Sequence, residues 1–419
     1  MQTWACGHEG DEGHSRLCPH LVCAGEVEYA RVLRGQGLES DLCCPDCASL
    51  IKNGESIEWL RVCEACVELH EDNSYDLIEW IGKPEIKERL TPFDATLAET
   101  ILSVDAAWAV AIAPLDVTRW VGFWQKEMFL IDGAEVAPIC AAPPSTQKDG
   151  VWGGPHLAPS VSTSLDGRFA VLCHTRGRSG FVVDLEEKRV TMVLKKTPNT
   201  PFYVAFFQLD ERNFLIHATD WMRFDISDPE NGTLLSRREG HYSTFENGRL
   251  RVSPDSQWIV VEQSSRGGSE RVVAWNLSRL LEEKFWESKE ASPHRWLCSR
   301  DYLSDVPVAW VDNDRVAVWG ISPDEELMLN GARVFDIHSG EEVFAFAGPS
   351  KKVFFGGGGR LFSAEDDGLH IWDASMGERL GRINGFKPQW QRGDFLIELN
   401  ASRLSGSRVR AWNWLGAFD

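Results

Sequence analysis

Two Cys-x-x-Cys pairs near the N-terminus are the residues of this sequence best suited to chemistry. They are Cys44–Cys47 and Cys63–Cys66, with fifteen residues between Cys47 and Cys63. Each pair directs two thiolates into one space, and two such pairs complete the tetrahedral ligand set that Zn²⁺ takes in a zinc ribbon. The spacing therefore predicts a zinc site made by Cys44, Cys47, Cys63 and Cys66.

Further metal-ligand types precede these pairs, as Cys6-Gly-His8 and Cys18-Pro-His20, with Cys23 nearby. They predict a second zinc ion bound by Cys6, His8, Cys18 and either His20 or Cys23. An interleaved arrangement, in which the two sites exchange partners, satisfies the same spacing. Spacing alone does not choose between these pairings.

The alternatives to a structural metal site are a disulfide framework and a redox motif. An even number of N-terminal cysteines permits disulfides, but tight Cys-x-x-Cys pairs and the lack of a recognisable secretion signal favour a metal in a reducing, cytoplasmic compartment. A thioredoxin-like role is disfavoured because we expect neither pair to open a helix within a strand–helix–strand unit. Few large apolar residues lie here, so a zinc ion is expected to hold the module together.

Part of this region resembles the zinc finger of ubiquitin-specific proteases. The resemblance covers residues 18–66 and rests on Cys18-Pro-His20-Leu21, Cys44-x-x-Cys47 and Trp59 before Cys63-x-x-Cys66. That family also has a downstream Gly-Arg-Tyr turn and a series of spaced histidines, whereas only His70 follows closely here. The resemblance therefore implies a zinc-bound module rather than recognition of a ubiquitin tail.

The rest of the chain repeats a short β-rich phrase that ends in Asp or Asn. Successive phrases are 37 to 60 residues apart, and a second strand-like run precedes each of them. Such intervals are typical of propeller blades, whose sheets bury their faces by packing around an axis. The seven phrases end at Asp132, Asp184, Asp225, Asn276, Asp336, Asp373 and Asn413. The predicted fold class is mainly β, a seven-bladed β-propeller preceded by a small zinc-binding module.

These phrases resemble the repeats of WD40 propellers. The best unit runs from Gly240-His241 through Ser253-Pro-Asp255 to Trp275-Asn276, and Trp372-Asp373 is the one true Trp-Asp pair. The resemblance covers about residues 95–419 and implies a propeller there.

The predicted domain boundaries follow from how the last blade is completed. After Asn413 the sequence has six residues, too few for an outer strand. A β-competent segment near residues 95–104 could supply that strand and close the ring. We therefore predict a zinc-binding module at 1–79, a connector at 80–94 and the propeller at 95–419.

Other features of the propeller predict packing and turns rather than catalysis. Its histidines share no repeat phase, and Gly-x-x-x-x-Gly-Lys, His-Glu-x-x-His and Gly-x-Ser-x-Gly motifs are lacking. The repeated aspartates are expected to hydrogen-bond into turns, not to form a calcium site. Gly356–Gly359 predicts a flexible hairpin loop. Tryptophans inside the strand phrases are expected to pack between blades, namely Trp258, Trp275, Trp372 and Trp412.

The charge distribution bears on partners. The net charge is −20, and residues 1–94 alone carry −11. Such a chain repels nucleic acid and anionic lipid, and no apolar run is long enough to cross a membrane. We expect a non-enzymatic scaffold or adaptor, a monomer within a complex, that contacts a basic protein partner. The alternatives are an immunity-type inhibitor of a basic toxin or nuclease, and an enzyme that uses the propeller axis or an open zinc site.

Overall fold

The computed structural model divides into two compact units. One comprises Met1–Glu88, Trp319–Arg333 and Phe344–Lys351, and the other comprises Arg89–Val318, Val334–Val343 and Lys352–Asp419. The structure describes residues 16–23, 28–34, 39–62, 77–81, 84–102, 109, 111–143, 159–174, 179–195, 202–220, 223–236, 246–264, 269–282, 296–301, 306–321, 328–400 and 407–418.

Among its described residues, the N-terminal region contains a small mixed sheet and two short helices. Its elements are β1 (Arg16–Leu17), α1 (Pro19–Cys23), β2 (Tyr29–Arg34), β3 (Glu39–Cys43), α2 (Pro45–Lys52), β4 (Leu60–Arg61) and β5 (Leu77–Ile81). The strand order is β4-β1-β3-β2-β5, with β1 parallel to β3 and antiparallel to β4. Leu17, Leu21, Leu42, Ala48 and Val62 are buried in its core.

The remaining strands form the antiparallel sheets of a β-propeller, which confirms the prediction of a mainly β, propeller-type fold. They are β6 (Lys87–Glu88), β7 (Ala98–Leu102), β8 (Ala111–Pro114), β9 (Arg119–Trp124), β10 (Glu127–Asp132), β11 (Glu135–Ala141), β12 (Pro159–Thr163), β13 (Phe169–His174), β14 (Ser179–Asp184), β15 (Arg189–Lys195), β16 (Val204–Leu209), β17 (Arg212–Asp220), β18 (Arg223–Ser227), β19 (Glu246–Val252), β20 (Trp258–Ser264), β21 (Ser269–Asn276), β22 (Trp296–Asp301), β23 (Val308–Trp310), β24 (Arg315–Ile321), β25 (Leu329–Asp336), β26 (Glu342–Ala347), β27 (Val353–Gly357), β28 (Arg360–Ala364), β29 (Gly368–Asp373), β30 (Glu378–Asn384), β31 (Trp390–Arg392), β32 (Phe395–Asn400) and β33 (Ser407–Asn413). Helix α3 (Leu277–Leu281) follows β21, and a 3₁₀ turn, Gly416–Phe418, follows β33.

Consecutive strands are neighbours within each sheet. Among the described residues the sheets are β8–β11, β12–β15, β16–β18, β19–β22, β23–β26, β27–β30, and β31–β33 with β7. First strands of successive sheets contact one another, as β8 does with β12, and β31 contacts β8. The first strands therefore surround the centre of a ring, and the last sheet lies next to the first.

The ring is closed by a strand from before the first sheet. β7 pairs antiparallel with β33, from Ala98 opposite Ala411 to Leu102 opposite Ser407. It lies within the segment 95–104 that the sequence indicated for this role. Just before it, the carbonyl of Asp94 accepts a hydrogen bond from Trp412 Nε1 at 2.8 Å.

Tryptophans and other large side chains fill the space between sheets. Trp120, Trp275, Trp372 and Trp412 are fully buried, and Trp258 is nearly so. This agrees with the packing role expected for tryptophans inside the strand phrases. Each large aromatic side chain buries about 150–250 Å², so these residues contribute strongly to the stability of such a core.

Side chains also hydrogen-bond backbone groups that lie in or next to the first strands of other sheets. Trp310 Nε1 donates to the carbonyl of Arg251 at 2.8 Å. Gln391 Nε2 donates to the carbonyl of Gly356 at 2.8 Å, and Gln391 Oε1 accepts a hydrogen bond from the N–H of Gly356 at 3.3 Å. The guanidinium of Arg392 donates to four carbonyls, those of Leu115, Thr163, Ser164 and Leu165. The Trp310 bond connects the fifth sheet to the fourth, and the bonds of Gln391 and Arg392 connect the last sheet to the first, second and sixth.

The glycine run differs from the flexible loop that the sequence predicted. Gly356 and Gly357 belong to β27, and the turn consists of Gly358 and Gly359, with φ of +58° and +79°. A Cβ atom at Gly356 would lie 2.2 Å from the carbonyl oxygen of Trp310. At Gly357 it would lie 2.6 Å from the Trp414 indole. Close approach of neighbouring chain segments therefore requires glycine here.

We expect Gly356→Ala to destabilise the propeller by about 1–3 kcal/mol, because the added methyl group must displace backbone of the adjacent sheet. Urea unfolding followed by tryptophan fluorescence measures this loss. Gly416→Ala is the matched control, since its Cβ would meet nothing closer than 4.0 Å. Equal midpoints for the two variants would contradict the close-packing explanation.

Candidate metal centre

Four metal-ligand side chains converge in the N-terminal region. The ligand atoms of Cys18, His20, Cys44 and Cys47 all lie within 4.8 Å of one another. Three sulfurs and one imidazole nitrogen are donors that Zn²⁺ prefers, and four of them complete a tetrahedral site. The arrangement therefore offers one zinc ion the four donors of a tetrahedral site.

The parallel pairing of two strands produces this convergence. Leu17 in β1 lies opposite Leu42 in β3, so both strands end on the same side of the sheet. Cys18 follows β1 directly, and Cys44 follows β3 directly. The N–H of Cys44 donates to Cys18 Sγ at 3.3 Å, which joins the two strand ends. Helices α1 and α2 begin there and supply His20 and Cys47.

One nitrogen of the histidine faces the sulfurs. His20 Nδ1 lies 3.2 Å from Cys47 Sγ and 3.7 Å from Cys44 Sγ. Nδ1 is therefore the atom placed to bind a metal. The imidazole ring itself is exposed.

The electrostatics of the buried thiols favour a bound cation. Cys18 is 0% and Cys47 2% exposed. Burial raises the pKa of both thiols, and the neighbouring cysteines raise the pKa of Cys47 further. Hydrogen bonds from the N–H groups of Cys44 and Leu21 partly offset the effect at Cys18. Because burial disfavours thiolates, a divalent cation is the natural partner that would stabilise them in this space.

An ion pair reinforces the sheet beside these ligands. Arg16 Nε donates to Asp41 Oδ2 at 3.0 Å, and the Asp41 carboxylate is buried. The guanidinium also lies 5.2 Å from the centre of the Trp59 ring. These contacts connect β1, β3 and the segment after α2.

The observed quartet combines residues from both predicted zinc sets, as an interleaved arrangement would. Cys44 and Cys47 lie with Cys18 and His20. Other predicted ligands lie outside the described residues, namely Cys6, His8, Cys63, Cys66 and the side chain of Cys23. The structure also corrects one premise, because Cys44–Cys47 does open a helix directly after a strand.

Several of the repeated aspartates of the propeller accept hydrogen bonds from turn residues. Asp184, Asp336 and Asp373 each accept hydrogen bonds from the N–H groups two and three residues ahead. The third phrase differs, because Asp225 is buried and accepts from Ser236 Oγ, while Asp228 caps the turn. These bonds agree with the turn role predicted for the repeated carboxylates.

A similar carboxylate, Asp116, gives a test by pH. Partial burial alone would raise its pKa, but hydrogen bonds from Arg119 and Thr118 outweigh burial and lower the pKa to about 2. A carboxyl group with a lowered folded-state pKa stabilises the fold above its unfolded pKa, near 3.8, and loses that contribution as the pH falls towards 2. We expect Asp116→Asn to lower the urea midpoint at neutral pH and to match the parent chain near pH 2.

The exposed Asp132 provides the control for this titration. The urea midpoint of Asp132→Asn should differ little from that of the parent chain at both pH values. A pH-independent difference for Asp116→Asn would contradict the charge-based explanation.

Among the described residues, the helices are too short and too polar for any of them to cross a lipid bilayer.

No protein-family model matches the sequence, and no curated protein matches it. One similar solved chain comes from "Crystal Structure of Mitotic Checkpoint Complex", with 14% identity, a TM-score of 0.47, and coverage of 80% of this chain and 96% of that one. Another comes from "Kuenenia stuttgartiensis Hydrazine Synthase", with 14% identity, a TM-score of 0.47, and coverage of 73% and 96%. These likenesses concern the fold alone.

Proposed function

We propose that this protein is a non-enzymatic scaffold or adaptor that binds another protein. In this proposal a seven-bladed propeller and a zinc-stabilised module present two binding surfaces. The observation that carries it is the quartet of Cys18, His20, Cys44 and Cys47, whose four ligand atoms lie within 4.8 Å. A catalytic zinc keeps an open position, whereas four protein ligands are typical of structural zinc.

Zinc in this site would hold the start of α1 against the start of α2. Cys18 and His20 would bind it from one side of the sheet edge, and Cys44 and Cys47 from the other. Zinc supplies folding free energy to such modules, because the unfolded chain has no preformed site. The metal would therefore stabilise a surface rather than activate a substrate.

The remaining ligand pairs support a second zinc. Cys6–His8 repeats the Cys-x-His spacing of the described site, and Cys63–Cys66 repeats its Cys-x-x-Cys spacing. We therefore retain the two-zinc prediction, with Cys6, His8, Cys63 and Cys66 as the second set. Elemental analysis of the purified chain should give about two zinc ions per chain. A value of one would remove the second site and leave the first.

Polar side chains at the centre of the ring support a non-enzymatic role. Trp310, Gln391 and Arg392 all donate to backbone carbonyls of neighbouring sheets. Burial lowers the pKa of Arg392, against the opposing effect of Asp166 and Asp116. Groups used for internal hydrogen bonds are not available to bind a substrate in the same geometry.

The charge of the chain favours a basic partner. The net charge of −20 and the −11 carried by residues 1–94 would attract a positively charged protein and accelerate its association at low salt. We propose a monomer that works within a cytoplasmic complex, without nucleic-acid or membrane partners.

The test is capture of partners by the full-length chain after crosslinking in cells, with identification by mass spectrometry. We expect a protein partner whose purified form binds the purified chain directly, with affinity that falls as salt rises. Cys47→Ser should weaken binding that needs the zinc module, whereas Cys140→Ser, a change in the propeller, should not. Turnover of a substrate, or failure of each captured protein to bind directly, would overturn the scaffold proposal.

A further inference from the structure

The Cys44–Cys47 pair has a feature beyond its ligand role, because it opens a helix. β3 ends at Cys43, Cys44 is the N-cap of α2, and Cys47 lies in the first turn. Cys44 is partly exposed, whereas Cys47 is 2% exposed. The Cys44 sulfur is therefore accessible to a reagent in solution, whereas the Cys47 sulfur is buried.

This order of exposure suits disulfide formation. An accessible thiolate reacts with an oxidant first, and a nearby thiol then attacks the oxidised sulfur. The two sulfurs lie within 4.8 Å, inside one Cys-x-x-Cys loop. A disulfide between them requires only a short approach of the two side chains.

Resting on the metal site proposed above, we propose that Cys44 and Cys47 form a peroxide-responsive dithiol that exchanges bound zinc for a disulfide. The Cys44 thiolate attacks one oxygen of hydrogen peroxide, and the O–O bond breaks. Hydroxide departs, and Cys44 becomes a sulfenic acid. The Cys47 thiolate then attacks Cys44 Sγ, the S–S bond forms, and a second hydroxide leaves. Peroxide gains the two electrons that the dithiolate loses, and the two hydroxide ions take up protons from the buffer to become water.

Loss of two thiolate ligands would release the metal. Cys18 and His20 alone offer two donors, too few for a stable tetrahedral zinc site. The start of α1 would then no longer be held to the start of α2. Reduction by a dithiol, with zinc present, restores the ligands, so the module becomes a reversible sensor of oxidant.

Other described cysteines are worse placed to react. Cys18 and Cys43 are 0% exposed, and Cys173 and Cys298 are buried in the propeller. Cys140 is partly exposed, but burial raises its pKa to about 11, so it is protonated at neutral pH. Because the thiolate is the reactive form, Cys140 serves as a slow-reacting comparison.

The experiment uses the full-length, zinc-loaded chain and one equivalent of hydrogen peroxide. Released zinc is followed with a colorimetric chelator, and disulfides are located by peptide mass spectrometry. We expect one zinc ion released for each Cys44–Cys47 disulfide formed, with dimedone trapping the sulfenic acid on Cys44. Dithiothreitol and added zinc should restore the starting zinc content.

Variants outside the ligand set test the assignment. Cys43→Ala and Cys140→Ser should release zinc as the parent chain does. Disulfides are mapped in the parent chain itself, so that measurement does not depend on the folding of any variant. Zinc retained after oxidation, or a disulfide that joins Cys44 to Cys43 instead, would overturn the dithiol inference alone. A purified chain without zinc would overturn both this inference and the proposed zinc site.

Discussion

Replacing Cys47 by serine is expected to remove about one zinc ion per chain and to unfold the N-terminal module. Cys47 is buried beside Cys18, and serine offers zinc a much poorer ligand at this position. Structural zinc binds zinc-finger peptides with an apparent free energy of about 10–16 kcal/mol. That is comparable with the whole stability of a typical domain, about 5–15 kcal/mol. Elemental analysis measures the zinc, and limited proteolysis measures unfolding of residues 16–62.

Cys140→Ser is the matched control, because it removes a partly exposed thiol of the propeller and none of the four ligands. It should keep the parent zinc content and the parent proteolysis pattern. Full zinc content in Cys47→Ser would contradict the ligand assignment. Loss of zinc without new cleavage in residues 16–62 would show that the metal does not support the fold of the module.

The sequence indicated a cluster of Cys and His side chains in the N-terminal region, but not which of these residues lie together. Cys-x-x-Cys spacing indicates that Cys44 and Cys47 share a metal, because it is a local property. Pairing with Cys18 depends on the parallel contact between Leu17 and Leu42, residues 25 positions apart. No periodicity in the sequence marks that contact, so the grouping of Cys18 and His20 with Cys44 and Cys47 could not be chosen from spacing alone.

In the propeller, the sequence repeat made the sheets predictable but gave no information about the side-chain contacts between sheets. Recurring strand phrases locate the sheets because each sheet buries a similar apolar pattern. Arg392 and Gln391 carry no such signal, because each occurs once and acts on a distant carbonyl. The phrase ending at Asp225 also misplaced its turn, which Asp228 caps three residues later.

The glycine run shows a further limit of local patterns. Four consecutive glycines are typical of a flexible loop, since glycine permits unusual backbone angles. At Gly356 and Gly357 the reason is lack of a side chain, because Trp310 and Trp414 approach the strand closely. Such long-range approach cannot be inferred from composition.

Closure of the ring gives the second large prediction, which compares adjacent residues of β7. Leu102 is fully buried in a cluster with Trp120 and Ile131 of the first sheet and with Ile397 and Val409 of the last. We expect Leu102→Asp to destabilise the propeller by more than about 3 kcal/mol, because it removes apolar packing and buries a carboxylate. Urea unfolding followed by tryptophan fluorescence measures the loss.

Ile101→Asp makes the same kind of change one residue earlier, on the opposite side of the strand. Ile101 is 64% exposed, so the new carboxylate stays hydrated. The free energy of unfolding should therefore fall by about 1 kcal/mol or less, which is the range of strand propensity at an exposed position. A much larger loss of stability in Leu102→Asp than in Ile101→Asp would show that one face of β7 bridges the first and last sheets. Equal and small losses would instead mean that the ring holds together without this strand, and that the contacts of Arg392 are enough to join its ends.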